Sequence, residues 1–136
     1  MENKTALYLA WTMSLVATAG SLFFTFGLHW TACDLCWYQR IFQFPLVIIL
    51  GVGIWKNIRD IELIALPMTF LGMIIAIFHN LLQYKIIPED LGPCSVSASC
   101  TLPYHFYFNW LTIPLGSLIM FVGITICLFI YRRTKV

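Results

Sequence analysis

Residues 111–131 read LTIPLGSLIMFVGITICLFIY, twenty-one positions without a charge, and the run is closed at once by Arg132, Arg133 and Lys135. A bilayer core is crossed by about 20 apolar residues in helical form, so the length of this run is that of a membrane span. Backbone N–H and C=O groups in hydrocarbon must find partners within their own segment, which makes the run a helix and not an open strand. Three more stretches of the same kind lie upstream. Residues 6–28 carry no charge, residues 37–55 none after Arg40, and residues 61–84 are polar only at Glu62 near the start and at His79, Asn80 and Gln83 near the end. The expected fold class is therefore all-α: a four-transmembrane-helix bundle in which residues 1–136 form a single membrane domain with helices at about 6–28, 37–55, 61–84 and 111–131. Pro45, Pro67 and Pro114 are expected in the early turns of their helices, where the missing N–H is tolerated.

Composition agrees. Of the 136 residues 60% are hydrophobic and only 10% charged, and the mean hydropathy is +0.85. A soluble domain of this size leaves too much surface exposed to hide so much apolar material, so lipid is the expected solvent. The net charge of +2, with no basic cluster able to track phosphates, argues against a nucleic-acid partner.

Four crossings put both termini on one face. That face holds Lys4, Lys56, Arg59, Arg132, Arg133 and Lys135, while the other has only Arg40 and Lys85. Cytoplasmic loops carry the excess of Lys and Arg, so the termini and the 56–60 turn are expected inside the cell membrane and the loops 29–36 and 85–110 outside. Trp30, Trp37, Tyr38, Tyr104, Phe106, Tyr107, Phe108 and Trp110 then form an aromatic belt on the outer side. Ala17-Thr18-Ala19 imitates a signal cleavage site, but the apolar run continues through Phe23, Phe24, Phe26 and Leu28, too long for a signal core.

Four of the five cysteines fall in the two outward loops: Cys33 and Cys36 in the first, Cys94 and Cys100 in the second. Apolar free cysteines would scatter into helices, and the outer face is the oxidising side where disulfides persist. Spacings of C-x-x-C and C-x5-C both permit a local bridge. Cys36 stands directly before the expected second helix, whose N-terminal N–H groups and partial positive charge favour a thiolate. Arg40 follows one helical turn deeper, near the same face. An arginine at a membrane boundary is a functional-site candidate able to cradle a thiolate or a ligand carbonyl, or it snorkels to the headgroups. The two cysteine pairs can be redox-active, inert structural staples, or, taken together, a zinc site. His79, Asn80 and Gln83 lie just beneath the outer surface, where they can hydrogen-bond a quinone head group or satisfy one another and neighbouring backbone. Cys127, about 24 Å of helical rise beyond Leu111, is out of reach of the loop cysteines and reads as packing.

The stretch Cys33-Asp34-Leu35-Cys36-Trp37-Tyr38-Gln39-Arg40 resembles the signature of the disulfide bond formation protein B family (DsbB), and the likeness extends to the four helices and the cysteine pair in the second outer loop. The C-x5-C spacing is similar to the compact Gram-positive form of that family. The resemblance implies a membrane thiol–disulfide oxidoreductase that reoxidises an extracytoplasmic thioredoxin-fold oxidase and passes the electrons to the membrane quinone pool. The quinone, menaquinone or ubiquinone, is held non-covalently, and no metal takes part. It further implies that Cys33 and Cys36 exchange electrons with quinone, Cys36 being the one in contact. Cys94 and Cys100 would meet the partner, Cys94 forming the mixed disulfide, and Arg40, His79 and Gln39 would lie at the quinone. Gln39 departs from the acidic residue of many proteobacterial members, and the short Cys94–Cys100 spacing removes most of a loop that carries a membrane-surface helix there. The alternatives are a non-catalytic membrane subunit with structural loop disulfides and a quinone reductase of the vitamin K epoxide reductase type. In the latter family the C-x-x-C belongs late in the bundle, whereas here it opens the second helix.

Overall fold

A computed structural model describes residues 2–27, 29, 34–84, 86 and 113–135. Four helices account for nearly all of them: α1 (Glu2–Leu22), prolonged by a π-helical turn (Phe23–Gly27), α2 (Asp34–Trp55), α3 (Glu62–Gln83) and α4 (Ile113–Lys135). Each is long and apolar enough to cross a membrane, and no strand occurs among the described residues. The architecture is the expected all-α four-helix bundle. Three boundaries differ most from the hydropathy reading. α1 and α4 run further at the charged end, because Lys and Arg continue a helix as readily as apolar residues do. α2 begins at Asp34, so Cys36 lies inside its first turn and not before it. Pro45 accordingly sits near the middle of α2, while Pro114 is the second residue of α4.

Cross-helix pairs give the topology. Arg40 meets Ser21 while Trp11 Nε1 donates to the Val47 carbonyl at 3.1 Å, so α1 and α2 are antiparallel. Gln39 pairs with His79 at one end of α2 and Gly53 faces Ile61 at the other. Asn80 Nδ2 donates to the Pro114 carbonyl at 3.0 Å, and Gly72 faces Phe121. The helices form a ring in chain order, α4 closing on α1. The α2–α3 connection is tight: the Ile58 N–H reaches the Gly53 carbonyl at 3.0 Å and the Asn57 N–H that of Ile54 at 3.3 Å. Asn57 takes the left-handed conformation, φ 53°, that closes such a Schellman cap.

The core is built from Leu46 and Leu50 of α2, Phe121, Ile124 and Leu128 of α4, and small residues such as Ala10, Ala65 and Ala76 where helices approach. Apolar side chains also cover the outside: Ile48, Ile74, Leu9, Val16 and Ile126 are all more than half exposed. In water such a coat would drive aggregation; against lipid it is the required surface.

Candidate functional site

The bundle end where α2 begins gathers most of the buried polar side chains. Three of them follow from α2 itself. Cys36, Gln39, Arg40 and Gln43 stand at spacings of three and four, which stack them along one face of a helix. Cys36 is half-buried and packs against the apolar cluster of Leu35 and Leu82, which Ile75 and Phe78 of α3 also flank. Gln39 and Arg40, 5% and 6% exposed, diverge from there.

Gln39 turns to α3, its Nε2 lying 3.3 Å from Nδ1 of the buried His79. An amide nitrogen can only donate, so in this pairing Nδ1 is the acceptor. Arg40 turns to α1. Its Nε donates to Ser21 Oγ at 2.9 Å and one terminal nitrogen to the Ser21 carbonyl at 3.1 Å. The same nitrogen donates to Thr25 Oγ1, and the guanidinium carbon lies 4.9 Å from the Trp37 ring centroid. The guanidinium is thus held inside the bundle, not extended to the headgroups. Ser21 closes the α-helical part of α1 and Thr25 lies in the π turn. Widened turns of this kind loosen the backbone ladder and often mark functional sites; here one supports a carbonyl and a hydroxyl that receive a buried cation.

A polar seam continues inward from Arg40. Ser14, Thr18, Ser21 and Thr25 recur at spacings of four, three and four on α1, one face of a helix. Gln43 stands three residues beyond Arg40 and Thr18 three before Ser21, so the antiparallel register brings them to one level. Among the described residues Ser14 Oγ, Thr18 Oγ1 and Gln43 Nε2 have no hydrogen-bond partner, and neither has Asn80 Oδ1. Asn80 is otherwise spent on backbone, donating to the Ala76 carbonyl at 2.8 Å as well as to Pro114.

Of the residues singled out in the sequence, the structure brings together Cys36, Gln39, Arg40 and His79. Cys33, Cys94 and Cys100 lie outside the described residues. Cys127 is half-buried against the core on α4. Among the described residues no group of His, Cys, Asp and Glu converges as metal ligands would. Ser21, Thr25, Thr18 and Gln43 were missed; their signal was the hydroxyl spacing along an otherwise apolar α1, and a glutamine one turn past Gln39.

A membrane-spanning four-helix bundle with a cysteine in the first turn of its second helix, beside a buried arginine and histidine, defines the class: a polytopic membrane protein with a thiol site at one bilayer face. The family model described as disulfide bond formation protein DsbB matches residues 3–131. A probable disulfide formation protein C 1 of Bacillus anthracis is 37% identical over 134 residues, 98% of this chain and 96% of that protein. The disulfide bond formation protein C of Bacillus subtilis (strain 168) is 35% identical over 136 residues, 99% of each. A probable disulfide formation protein of Deinococcus radiodurans is 36% identical over 145 residues, 100% of this chain and 94% of that protein. No solved structure matches the chain. The chain belongs to the DsbB family of disulfide bond formation proteins.

Proposed function

We propose that this protein is a membrane thiol–disulfide oxidoreductase that reoxidises an extracytoplasmic thioredoxin-fold dithiol oxidase and delivers the two electrons to a membrane quinone. The observation that carries the proposal is Cys36 in the first turn of α2, with Arg40 one turn deeper, turned inward and buried. The family membership and the four spans support the redox role and its membrane setting.

A quinone head has two carbonyl acceptors on an apolar ring, and the residues present fit it. Arg40 and the His79–Gln39 pair supply buried donors, Gln43 Nε2 is a buried donor lacking a partner, and Leu35, Leu82 and Phe78 supply apolar walls. Arg40, His79 and Gln39 would hold the head group beside Cys36. Bound there, a quinone supplies an acceptor for two electrons and two protons and ends as quinol.

The protein's own steps are thiolate attacks on sulfur. A partner thiolate attacks Cys94, the Cys94–Cys100 bond breaks, and Cys100 leaves with the electron pair; the partner's second thiolate then displaces Cys94, completing its own disulfide. The resulting Cys94–Cys100 dithiol reduces a Cys33–Cys36 disulfide by the same exchange, and Cys36 is left in the α2 first turn, whose backbone N–H groups favour negative charge on its sulfur. Arg40, pinned by Ser21 and Thr25, holds positive charge one turn away without needing to reorganise.

The test mixes the purified protein, a reduced thioredoxin-fold oxidase and quinone, and follows quinol absorbance. Turnover is expected with the intact chain and is lost in Cys36→Ala, whereas Cys100→Ala accumulates a mixed disulfide through Cys94 with a partner lacking its resolving cysteine. Quinol formation that survives Cys36→Ala, or trapping that requires Cys33 or Cys36 and ignores Cys94, sinks the proposal.

A further inference from the structure

Two contacts that tie α1 to α2 bracket a short polar seam. At the Cys36 end the seam is closed by Arg40 on Ser21. Deeper in the bundle it is closed by Trp11, whose Nε1 donates to the Val47 carbonyl and lies against Gly51. Between Trp11 and Ser21 the positions on the same face of α1 are Ser14 and Thr18; between Arg40 and Val47 the position on the same face of α2 is Gln43, all at spacings of three and four. Ser14 is fully buried and Gln43 only 6% exposed. Even so, Ser14 Oγ, Thr18 Oγ1 and Gln43 Nε2 have no hydrogen-bond partner among the described residues. The two hydroxyls have an alternative within reach, a carbonyl of their own helix. Thr12, Thr125 and Thr134 each donate to the carbonyl four residues back, and Thr69 and Ser117 to the one three back. Ser14 and Thr18 leave that bond unmade. Three such atoms left unmet between helices in hydrocarbon are costly.

We propose that ordered water binds in this seam, bridging Gln43 Nε2 to Thr18 Oγ1 and Ser14 Oγ, and so completes the α1–α2 contact that holds Ser21 and Thr25 against Arg40. Polar groups that stand at one level without bonding directly are those a water bridges, and a buried water makes about three hydrogen bonds to such atoms. The chemistry fits: the amide nitrogen only donates, the hydroxyls donate and accept, and water does both. A quinone carbonyl only accepts, so it would leave the hydroxyl oxygens unmet, and its ring would have to pass the Arg40–Ser21 contact to reach the seam from Cys36. Gln43 carries two amide hydrogens, so a bond to water leaves one for the quinone head group. The inference holds whether or not the chain reduces a quinone.

The test places the full chain, deuterated except at its exchangeable sites and isotope-labelled at Gln39, Gln43 and Gln83, in phosphatidylcholine bilayers. Solid-state NMR then follows magnetisation passing from water to the side-chain amides, the Gln43 signal being identified by its absence in Gln43→Met. Transfer to the Gln43 side chain is expected to be faster than to the backbone N–H of the same residue, and to be lost in Ser14→Ala/Thr18→Val. Unfolding in detergent gives a second reading. Thr18→Val should raise the unfolding equilibrium constant about 5-fold or more, because it strands the water and its other partners. The triple variant Ser14→Ala/Thr18→Val/Gln43→Met, which removes all three polar partners, should recover most of that loss. A Gln43 side chain no faster than its own backbone N–H, or a Thr18→Val protein no less stable than the parent, overturns the proposal. So does transfer that disappears once the protein is loaded with quinone, which would make the seam part of the quinone site.

Discussion

Arg40 concentrates the chemistry of the Cys36 end of the bundle in one side chain. Burying a guanidinium is costly unless its donors are met, and here Ser21 and Thr25 accept from three of its five N–H groups while the Trp37 ring lies against the cation. A residue held so firmly can present charge to a ligand at a fixed place. Arg40→Ala is expected to raise the apparent KM for quinone about 10- to 100-fold, the worth of one charge-assisted hydrogen bond, while mixed-disulfide formation with the partner proceeds unchanged. Arg40→Lys should rescue only partly, since an ammonium lacks the planar fork that spans Ser21 and Thr25. Unaltered quinone kinetics in Arg40→Ala would reduce the residue to a structural cation. Cys127 is the contrasting case. Packed against the core on α4, it should be replaceable by alanine with full quinol turnover and a stability loss of about 1 kcal/mol; a folded but inactive Cys127→Ala protein would give that thiol a role it is denied here.

The helices differ in what sets their contacts. α3 approaches α4 because Gly72 has no side chain: a Cβ there would run into the Phe121 ring, which is fully buried and has nowhere to move. Gly72→Leu should therefore cost about 1–3 kcal/mol through overpacking. Gly20 on α1, with nothing within 4 Å of an added Cβ, should accept leucine within about 0.5 kcal/mol. Thermal or denaturant unfolding in detergent compares the two, and equal costs would mean that the α3–α4 seam is not close-packed. α2 shows how apolar pattern misplaces a boundary. The apolar run begins only at Trp37 and leaves Asp34 in the 29–36 loop, yet the helix starts at Asp34 and carries Cys36 inside its first turn. Pro45 in mid-helix is similarly tolerated, since neighbouring helices shield the interrupted backbone from lipid.

Across the whole molecule the two ends are chemically distinct. One holds Cys36 half-buried, with Gln39, Arg40, His79 and Asn80 buried; the other holds Lys4, Lys56, Arg59, Arg132 and Arg133 in exposed positions. That asymmetry is what the positive-inside rule reads, and by that rule the proposed redox site is expected to face outward. A membrane-impermeant thiol reagent applied to intact cells after reduction should label Cys33, Cys36, Cys94 or Cys100 and spare Cys127. Labelling confined to Cys127 would invert the protein in the membrane and remove the oxidising compartment from its cysteines.

Span number, helical class and charge asymmetry were legible along the chain because each is a local property: run length, missing charge, and the sign of the residues between runs. The C-x-x-C-x3-R pattern was legible for the same reason, its members lying within two helical turns. The rotation of each helix about its axis was not, because lipid and core are both apolar and a helix that is apolar all round does not declare its inner face. Only the packed bundle decides that Arg40 faces α1 while Gln39, its neighbour in sequence, faces α3, or that Ser21 and Thr25, nineteen and fifteen residues away, are the arginine's anchors. Those pairings depend on lateral register between antiparallel helices, which close contacts such as Gly72 on Phe121 and Gly53 on Ile61 set, and which no single run contains.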